Sequence, residues 1–353
     1  MKIGIITKHS VPNYGAMLQA YALATWLRSN GHDAEIVDYD QPTTTKYFRP
    51  SMFWVPPKIN AWRRYLSCKR FVRKHQPRSK YHCTSVDTFL PHANDYDLLF
   101  TGSDQVWFTG PVQYYDPMYF LDFPVKKTRK ASYAPSTGGI EDFGEYRGQV
   151  KYALSKFTHL SARDDNTERL LNDLGFYPTR VLDPTFLHDF HDLIDTENSP
   201  IPEPYLLIFG NLSKAAQTAT QSKARELMLS RIVSLQYKNE IATDRLPAAS
   251  PINWLNYYYH ASYVVTTYFH GSVFAIKFRK PFVSIPTRGR IKKVRTLLKD
   301  TKLESQCVIE GNQESQQLDQ AMKKEFDWSI CDRCLNEKIE HSQSYIRSVI
   351  DPA

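Results

Sequence analysis

One pattern constrains this chain more than any other. Short apolar runs end abruptly in clusters of Gly, Ser, Thr or Asp, and helix-spaced stripes follow. Ile3, Ile5 and Ile6 lead into the loop Thr7 to Gly15. Met17, Ala20, Tyr21, Ala24 and Leu27 then recur at helical spacing until Gly31, and Ala34 to Tyr39 reads as a second strand. Strand, loop, helix, strand is the opening of a right-handed parallel α/β layer.

The pattern returns along the chain. Asp97–Thr101 runs into Gly102, Ser103 and Asp104, Lys130–Ala134 into Pro135 to Gly139, and Thr158–Ala162 into Arg163. Asp165 with Glu168 three residues on predicts a capped helix start, and Gly175 its end. Arg180–Leu182 reads as a strand stopped by Asp183 and Pro184. Between Gln41 and His92 the pattern gives way to Pro, aromatic and basic residues, which predicts an insertion on the sheet rim. The second half repeats the grammar: strand Tyr205–Phe209, turn and helix, strand Arg231–Leu235, a helix around Trp254 to Tyr259, then strand Tyr263–Thr267. That strand feeds Phe269, His270, Gly271 and Ser272, a helix over Val273–Phe278 and a strand over Pro281–Ile285.

A length of 353 residues predicts about two domains. The Pro- and acid-rich stretch 192–204 is the predicted linker between a domain over 1–191, carrying the 41–92 insertion, and a domain over 205–353 that ends in helices. Two α/β halves facing each other across a cleft are the expected assembly, and no short sequence repeat is evident.

Composition closes off several classes. Hydrophobic residues at 42% and charged residues at 23% exclude collagen-like, disordered and coiled-coil chains. No apolar run reaches the ~18 residues of a membrane span, and the N-terminus lacks a secretory apolar segment. Five irregularly spaced cysteines fit a reducing compartment, which together predict a cytoplasmic protein. A surplus of 45 Lys and Arg over 37 Asp and Glu favours anionic ligands or an anionic membrane surface such as the inner face of the cell membrane. The basic residues cluster in Arg63–Lys80 and Arg288–Lys299, both with amphipathic helical spacing. No helix-turn-helix, zinc-finger or RNP-type signature accompanies them, so nucleic acid is not expected.

His270 is the first candidate for chemistry. It follows a buried strand, precedes a helix start that favours anions, and is followed by Gly271, which permits close approach, and Ser272, a potential N-cap. Arg163 occupies the corresponding place in the first half, where a guanidinium can grip phosphate or carboxylate; its alternative is a salt bridge to Asp164, Asp165 or Glu168. Asn13, Tyr14 and Gly15 open the first helix and could cradle a phosphate, although they form neither a Walker motif nor GxGxxG. Ser103, Asp104 and Gln105 could bind sugar hydroxyls, with Trp107 either a stacking face or a core residue. Arg290 and Lys293 could hold phosphate. Cys331 and Cys334 form one CxxC without a second pair, and no cluster of His and carboxylates predicts a metal.

Taken in order, NYGAMLQAYAL with GHDAEIVDY, DLLFTGSDQVW, SYAPSTGG, LSARDDNTERLL, VLDPTFL and ASYVVTTYFHGSVFAIKFRKPFVSI resemble the successive blocks of the polysaccharide pyruvyl transferase family, from Met1 to about Lys299. The resemblance implies a GT-B-like fold of two Rossmann-like domains. It also implies transfer of a pyruvyl group from phosphoenolpyruvate, with no further cofactor, to a sugar or lipid-linked glycan as a ketal. Arg163 matches the family's donor-associated arginine and His270 the histidine of its FHG-type block. The 41–92 insertion and the CxxC segment depart from the pattern. A GT-B glycosyltransferase using a nucleotide sugar and a non-catalytic glycan- or phosphate-binding protein are the alternatives.

Overall fold

A computed structural model describes residues 1–41, 56–110, 114–311 and 313–351. Five strands form the first sheet: β1 (Lys2–Ile6), β2 (Asp33–Tyr39), β3 (Arg78–Cys83), β4 (Leu98–Thr101) and β5 (Arg129–Ser132). They pair in parallel in the order β3-β2-β1-β4-β5. A separate parallel pair joins β6 (Ser161–Ala162) to β7 (Thr179–Arg180). The second sheet holds β8 (Tyr205–Phe209), β9 (Arg231–Leu235), β10 (Asp244–Leu246), β11 (Tyr263–Thr266) and β12 (Phe282–Ser284), again parallel, in the order β10-β9-β8-β11-β12.

The two sheets therefore share one topology: third, second, first, fourth, fifth. No sequence repeat advertises it. In each sheet the winding reverses between the first and fourth strands, so ligand-binding loops are expected after β1 and β4 and after β8 and β11.

The apolar runs follow from burial on both faces, which parallel sheets require. In β1, Ile3 and Ile5 pack with Ala20, Leu23 and Leu27 of the helix Tyr14–Ser29, while Ile6 joins Val37 and Leu99 in a second core. In the second sheet Leu206, Ile208, Ile232 and Val265 pack against Ala216 and Ala224 of the helix Lys214–Glu226 and Leu318 and Met322 of the helix Glu314–Lys323.

The chain divides into two compact units, Met1–Arg49 with Val72–Asp189 and Asn336–Ala353, and Pro50–Phe71 with Phe190–Leu335. Three features differ from the sequence reading. The chain's end belongs with the first unit, because Tyr345, Ile346, Val349 and Ile350 of the last helix, Trp328–Ile350, share a core with Ile3, Ala34 and Leu98. Arg129 and Ser132 anchor it: the Arg129 guanidinium donates to the carbonyls of Val349 and Ile350, and the Tyr345 hydroxyl donates to the Ser132 carbonyl at 2.9 Å. Stretch 192–204 has no helix or strand, as expected of a linker, but lies inside the second unit, with Leu193, Ile194 and Ile201 buried. The presumed rim insertion supplies the helix Pro56–His75 and the edge strand β3, whose pairing with β2 makes it part of the sheet; residues 42–55 of it lie outside the described residues.

Candidate functional site

In the first unit, four segments meet around Arg163, which immediately follows β6. Its guanidinium is buried and donates to Asp183 Oδ2 at 2.7 Å and Ser103 Oγ at 3.2 Å, with Asp104 Oδ1 3.8 Å away. Of the neighbours predicted as its alternative partners, Asp165 and Glu168 pair with Arg180. Asp164 rather than Asp165 caps the helix Asp165–Asn172, because its carboxylate accepts from Thr167 N and Oγ1 at 2.9 and 2.8 Å. The same carboxylate accepts from Ser136 Oγ at 2.6 Å, and Thr167 Oγ1 accepts from Thr137 N.

The turn after β4 is built for this setting. Gly102 has φ +105°, and a Cβ there would strike the Tyr133 carbonyl, so only glycine fits. The Gly102–Ser103 peptide is cis. Ser103 is fully buried; its hydroxyl donates to the Ala134 carbonyl at 2.8 Å, and its carbonyl accepts from Thr7 Oγ1 at 3.0 Å. Asp104, at φ +66°, accepts from Gln105 N. Trp107 is a core residue: fully buried, stacked on Phe120, with its indole N–H on the Tyr119 carbonyl.

After β1, Thr7 and Lys8 are held from the first helix, where Gln19 donates to Thr7 Oγ1, the Lys8 carbonyl and the Ala16 carbonyl. Burial lowers the Lys8 pKa below that of an ordinary lysine, against the opposing charges of Asp104 and Asp116. Burial also raises the Asp116 carboxyl, whose Oδ2 accepts the Tyr39 hydroxyl at 2.8 Å. Asn13 caps the helix Tyr14–Ser29 by accepting from Ala16 N at 3.4 Å, which occupies one of the amides a phosphate would use; Tyr14 and Gly15 are buried.

In the second unit the corresponding turn is aromatic. The helix Phe269–Lys277 starts four residues earlier than the helix expected from Val273, with Tyr268 at the N-cap position and no side-chain cap. His270 therefore lies in the first helical turn, buried, its ring edge-on to Phe269. Ser272 is no N-cap: its hydroxyl points inward and donates to Ser284 Oγ at 2.8 Å. Gly271 does permit a close approach, but by the protein itself, since a Cβ would collide with Thr266 Oγ1 and meet the Tyr258 hydroxyl at 2.8 Å.

Tyr268 organises what surrounds His270. Its ring packs on Phe209 at 4.7 Å and Tyr237 at 5.6 Å between centroids, and its hydroxyl bonds to that of Tyr237. The Arg290 guanidinium lies 4.0 Å above the ring and donates to Thr287 Oγ1, while Lys293 Nζ stands 5.4 Å from the ring of Phe269. Burial, then the Tyr268 hydroxyl, raises the Tyr237 phenol, and the charges of Arg290 and Arg64 pull it back. Among the described residues no carboxylate pairs with Arg290 or Arg64. The structure thus brings together His270, Gly271, Arg290 and Lys293 here, and Arg163, Ser103 and Asp104 in the first unit.

Sequence reasoning missed Lys8, Asp183, Asp116, Tyr237 and Arg64. For Lys8 a signal existed, its place after β1 at the winding reversal. Cys331 is buried in the last helix, and burial, followed by Asp332, pushes its thiol up to about 12.

A sequence model of the family described as polysaccharide pyruvyl transferase matches residues 13–288. No curated protein matches significantly. Among solved structures, the UDP-GlcNAc 2-epimerase from Methanocaldococcus jannaschii superposes with a TM-score of 0.56 at 12% identity, covering 98% of this chain and 100% of that one. The UDP-GlcNAc 2-epimerase from Neisseria meningitidis bound to UDP-GlcNAc gives 0.53 at 9%, covering 99% and 100%. Arabidopsis thaliana UGT89C1 complexed with UDP-L-rhamnose gives 0.51 at 14%, covering 96% and 94%. At such identities the likeness speaks for the fold: two Rossmann-like α/β domains of GT-B type.

Proposed function

Because the chain belongs to the polysaccharide pyruvyl transferase family, we propose that it moves the pyruvyl group of phosphoenolpyruvate onto two hydroxyls of a glycan or lipid-linked glycan precursor as a ketal, releasing phosphate. What supports this most is the grouping at the second sheet's winding reversal: His270 in the first turn of a helix, with Arg290 and Lys293 on the aromatic rings of Tyr268 and Phe269 beside it. Arg290, paired with no carboxylate among the described residues and close to a helix start, suits a donor that carries both carboxylate and phosphate.

The reaction balances without a further group. The enol methylene carbon takes a proton, the first sugar hydroxyl bonds to C2, and the second hydroxyl closes the ring as the C2–O–phosphate bond breaks. The two hydroxyl protons end on the new methyl group and on phosphate. His270 is the residue we assign to carry a proton between these positions. Arg290 and Lys293 offset the donor's charge. Arg163, whose guanidinium is engaged with Asp183 and Ser103, holds the turn Gly102–Asp104 in place and is a positioning residue in this reading. A donor of central metabolism sets the reaction in the cytoplasm.

Phosphate release from phosphoenolpyruvate with a panel of glycans and glycan precursors, with product masses followed in parallel, tests this. We expect an acid-labile pyruvylated product, a rate lower by ~10²–10⁴ in His270→Ala, and a donor KM higher by about tenfold or more in Arg290→Ala. Nucleotide release from a nucleotide sugar, with no turnover of phosphoenolpyruvate, would overturn the donor assignment. Turnover unchanged in His270→Ala would overturn the proton carrier.

A further inference from the structure

The helix Pro56–His75 has a second side with no role in the fold. At 100° per residue, Ile59, Arg63, Leu66, Arg70 and Arg73 fall in one stripe about 80° wide, and all five are exposed, Leu66 by 59%. The opposite side, Cys68, Phe71 and Val72, is buried. Half-buried Trp62 borders the stripe. The helix, PPKINAWRRYLSCKRFVRKH, contains no acidic residue.

The other basic cluster provides the control. In the helix Ile291–Asp300 the apolar residues Val294, Leu297 and Leu298 are buried and Ile291 is half-buried, and only Arg295 and Lys299 are exposed. Cations alone suit any polyanion. Cations flanking an exposed leucine and isoleucine suit a surface that is anionic outside and apolar just beneath, the profile of a helix lying in a bilayer interface.

We propose that the helix Pro56–His75 seats the protein on an anionic membrane surface, with Ile59 and Leu66 entering the headgroup region and Arg63, Arg70 and Arg73 on lipid phosphates. None of these residues belongs to the proposed reaction site, and among the described residues no helix is long and apolar enough to cross a membrane. The contact is therefore peripheral.

Co-sedimentation of the full chain with phosphatidylcholine vesicles, with and without phosphatidylglycerol, at low and high salt, tests this. Wild type should bind the mixed vesicles and be released by salt. Arg63→Glu with Arg70→Glu should weaken binding at least about 25-fold, about fivefold for each cation lost, and Leu66→Asp about tenfold. All positions are exposed, so thermal unfolding should be unchanged, as should phosphate release with a soluble acceptor; loss of that release with vesicle binding intact would count against the reaction alone. Equal binding to both vesicle types, or unchanged binding in the Arg variant and in Leu66→Asp, overturns the proposal. So does retention on a nucleic-acid column that ignores Leu66→Asp without vesicle binding, or a dimer in solution that Leu66→Asp dissolves.

Discussion

The two sheets share a strand order but treat positive charge in opposite ways. At the winding reversal of the first sheet, Arg163 is clamped by Asp183 with Asp104 nearby, and Lys8 feels the charges of Asp104 and Asp116. At the reversal of the second, Arg290 lies on the face of Tyr268 and Arg64 acts on the Tyr237 phenol, with no carboxylate paired to either among the described residues. A buried cation between carboxylates is committed to the fold. A cation on an aromatic face keeps its hydrogen-bond donors for a ligand. One topology thus hosts one cluster whose cations face carboxylates and another in which Arg290 and Arg64 have no carboxylate paired to them among the described residues.

The largest expected effect follows directly. Arg163→Met leaves Asp183 buried without its partner and should destabilise the protein by about 3–5 kcal/mol in urea unfolding, whereas Arg290→Ala should change stability by no more than about 0.5 kcal/mol. Asp183→Asn placed on Arg163→Met should recover part of the loss, since it removes the stranded charge. Comparable effects of the Arg163 and Arg290 variants would break the distinction between the halves.

Next in size is Gly271→Ala. Its methyl group would enter the space of Thr266 Oγ1, which donates to the Phe209 carbonyl at 3.0 Å and accepts from Tyr268 N at 3.1 Å. Overpacking there should cost about 1–3 kcal/mol in the same unfolding assay. Because the displaced hydroxyl supports Tyr268, the variant should also raise the donor KM. A stability loss with KM unchanged would show that the proposed role of the aromatic cluster does not depend on how this helix seats on β11.

How much of this could be read from sequence depends on how local each cause is. β1, β4, β8, β9 and β11 announce themselves because strands covered on both faces are nearly continuous apolar runs. β3 does not: in RSKYHC only Ser79 and Cys83 are buried, as suits an edge strand, so it reads as loop. The last helix shows an apolar stripe, but a stripe does not say which sheet it covers, and Tyr345 and Val349 proved to belong with β1. The places of His270 and Arg163 in the fold, just after β11 and β6, were legible, and strand ends are where such folds bind ligands. Their settings were not. Asp183 is 20 residues from Arg163, and Tyr237 is 31 from Tyr268, so only the folded sheet edges make them neighbours.

The smallest expected effect concerns acid. Burial alone would raise the Asp38 carboxyl, but the hydrogen bond and charge of His9, then Arg78, outweigh it and hold Asp38 well below the usual carboxylate range. His9 Nε2 is 3.1 Å and Arg78 Nη1 2.7 Å from it, tying the loop after β1 to β2 and to β3. A group with a lowered folded pKa contributes stability that is complete above its unfolded value, about 3.9. That contribution is lost as pH falls below there. Partial exposure screens the interaction and keeps it modest. Hydrogen exchange should therefore show β2 and β3 loosening as pH drops below about 4, before β8 to β11 in the second unit, and Asp38→Asn should already be loosened at neutral pH with a flatter acid response. Simultaneous opening of both units, or an acid response in Asp38→Asn as steep as in wild type, would mean that the carboxylates of the first unit do not set its stability, and the contrast between a charge-compensated half and an aromatic one would rest on Arg163 alone.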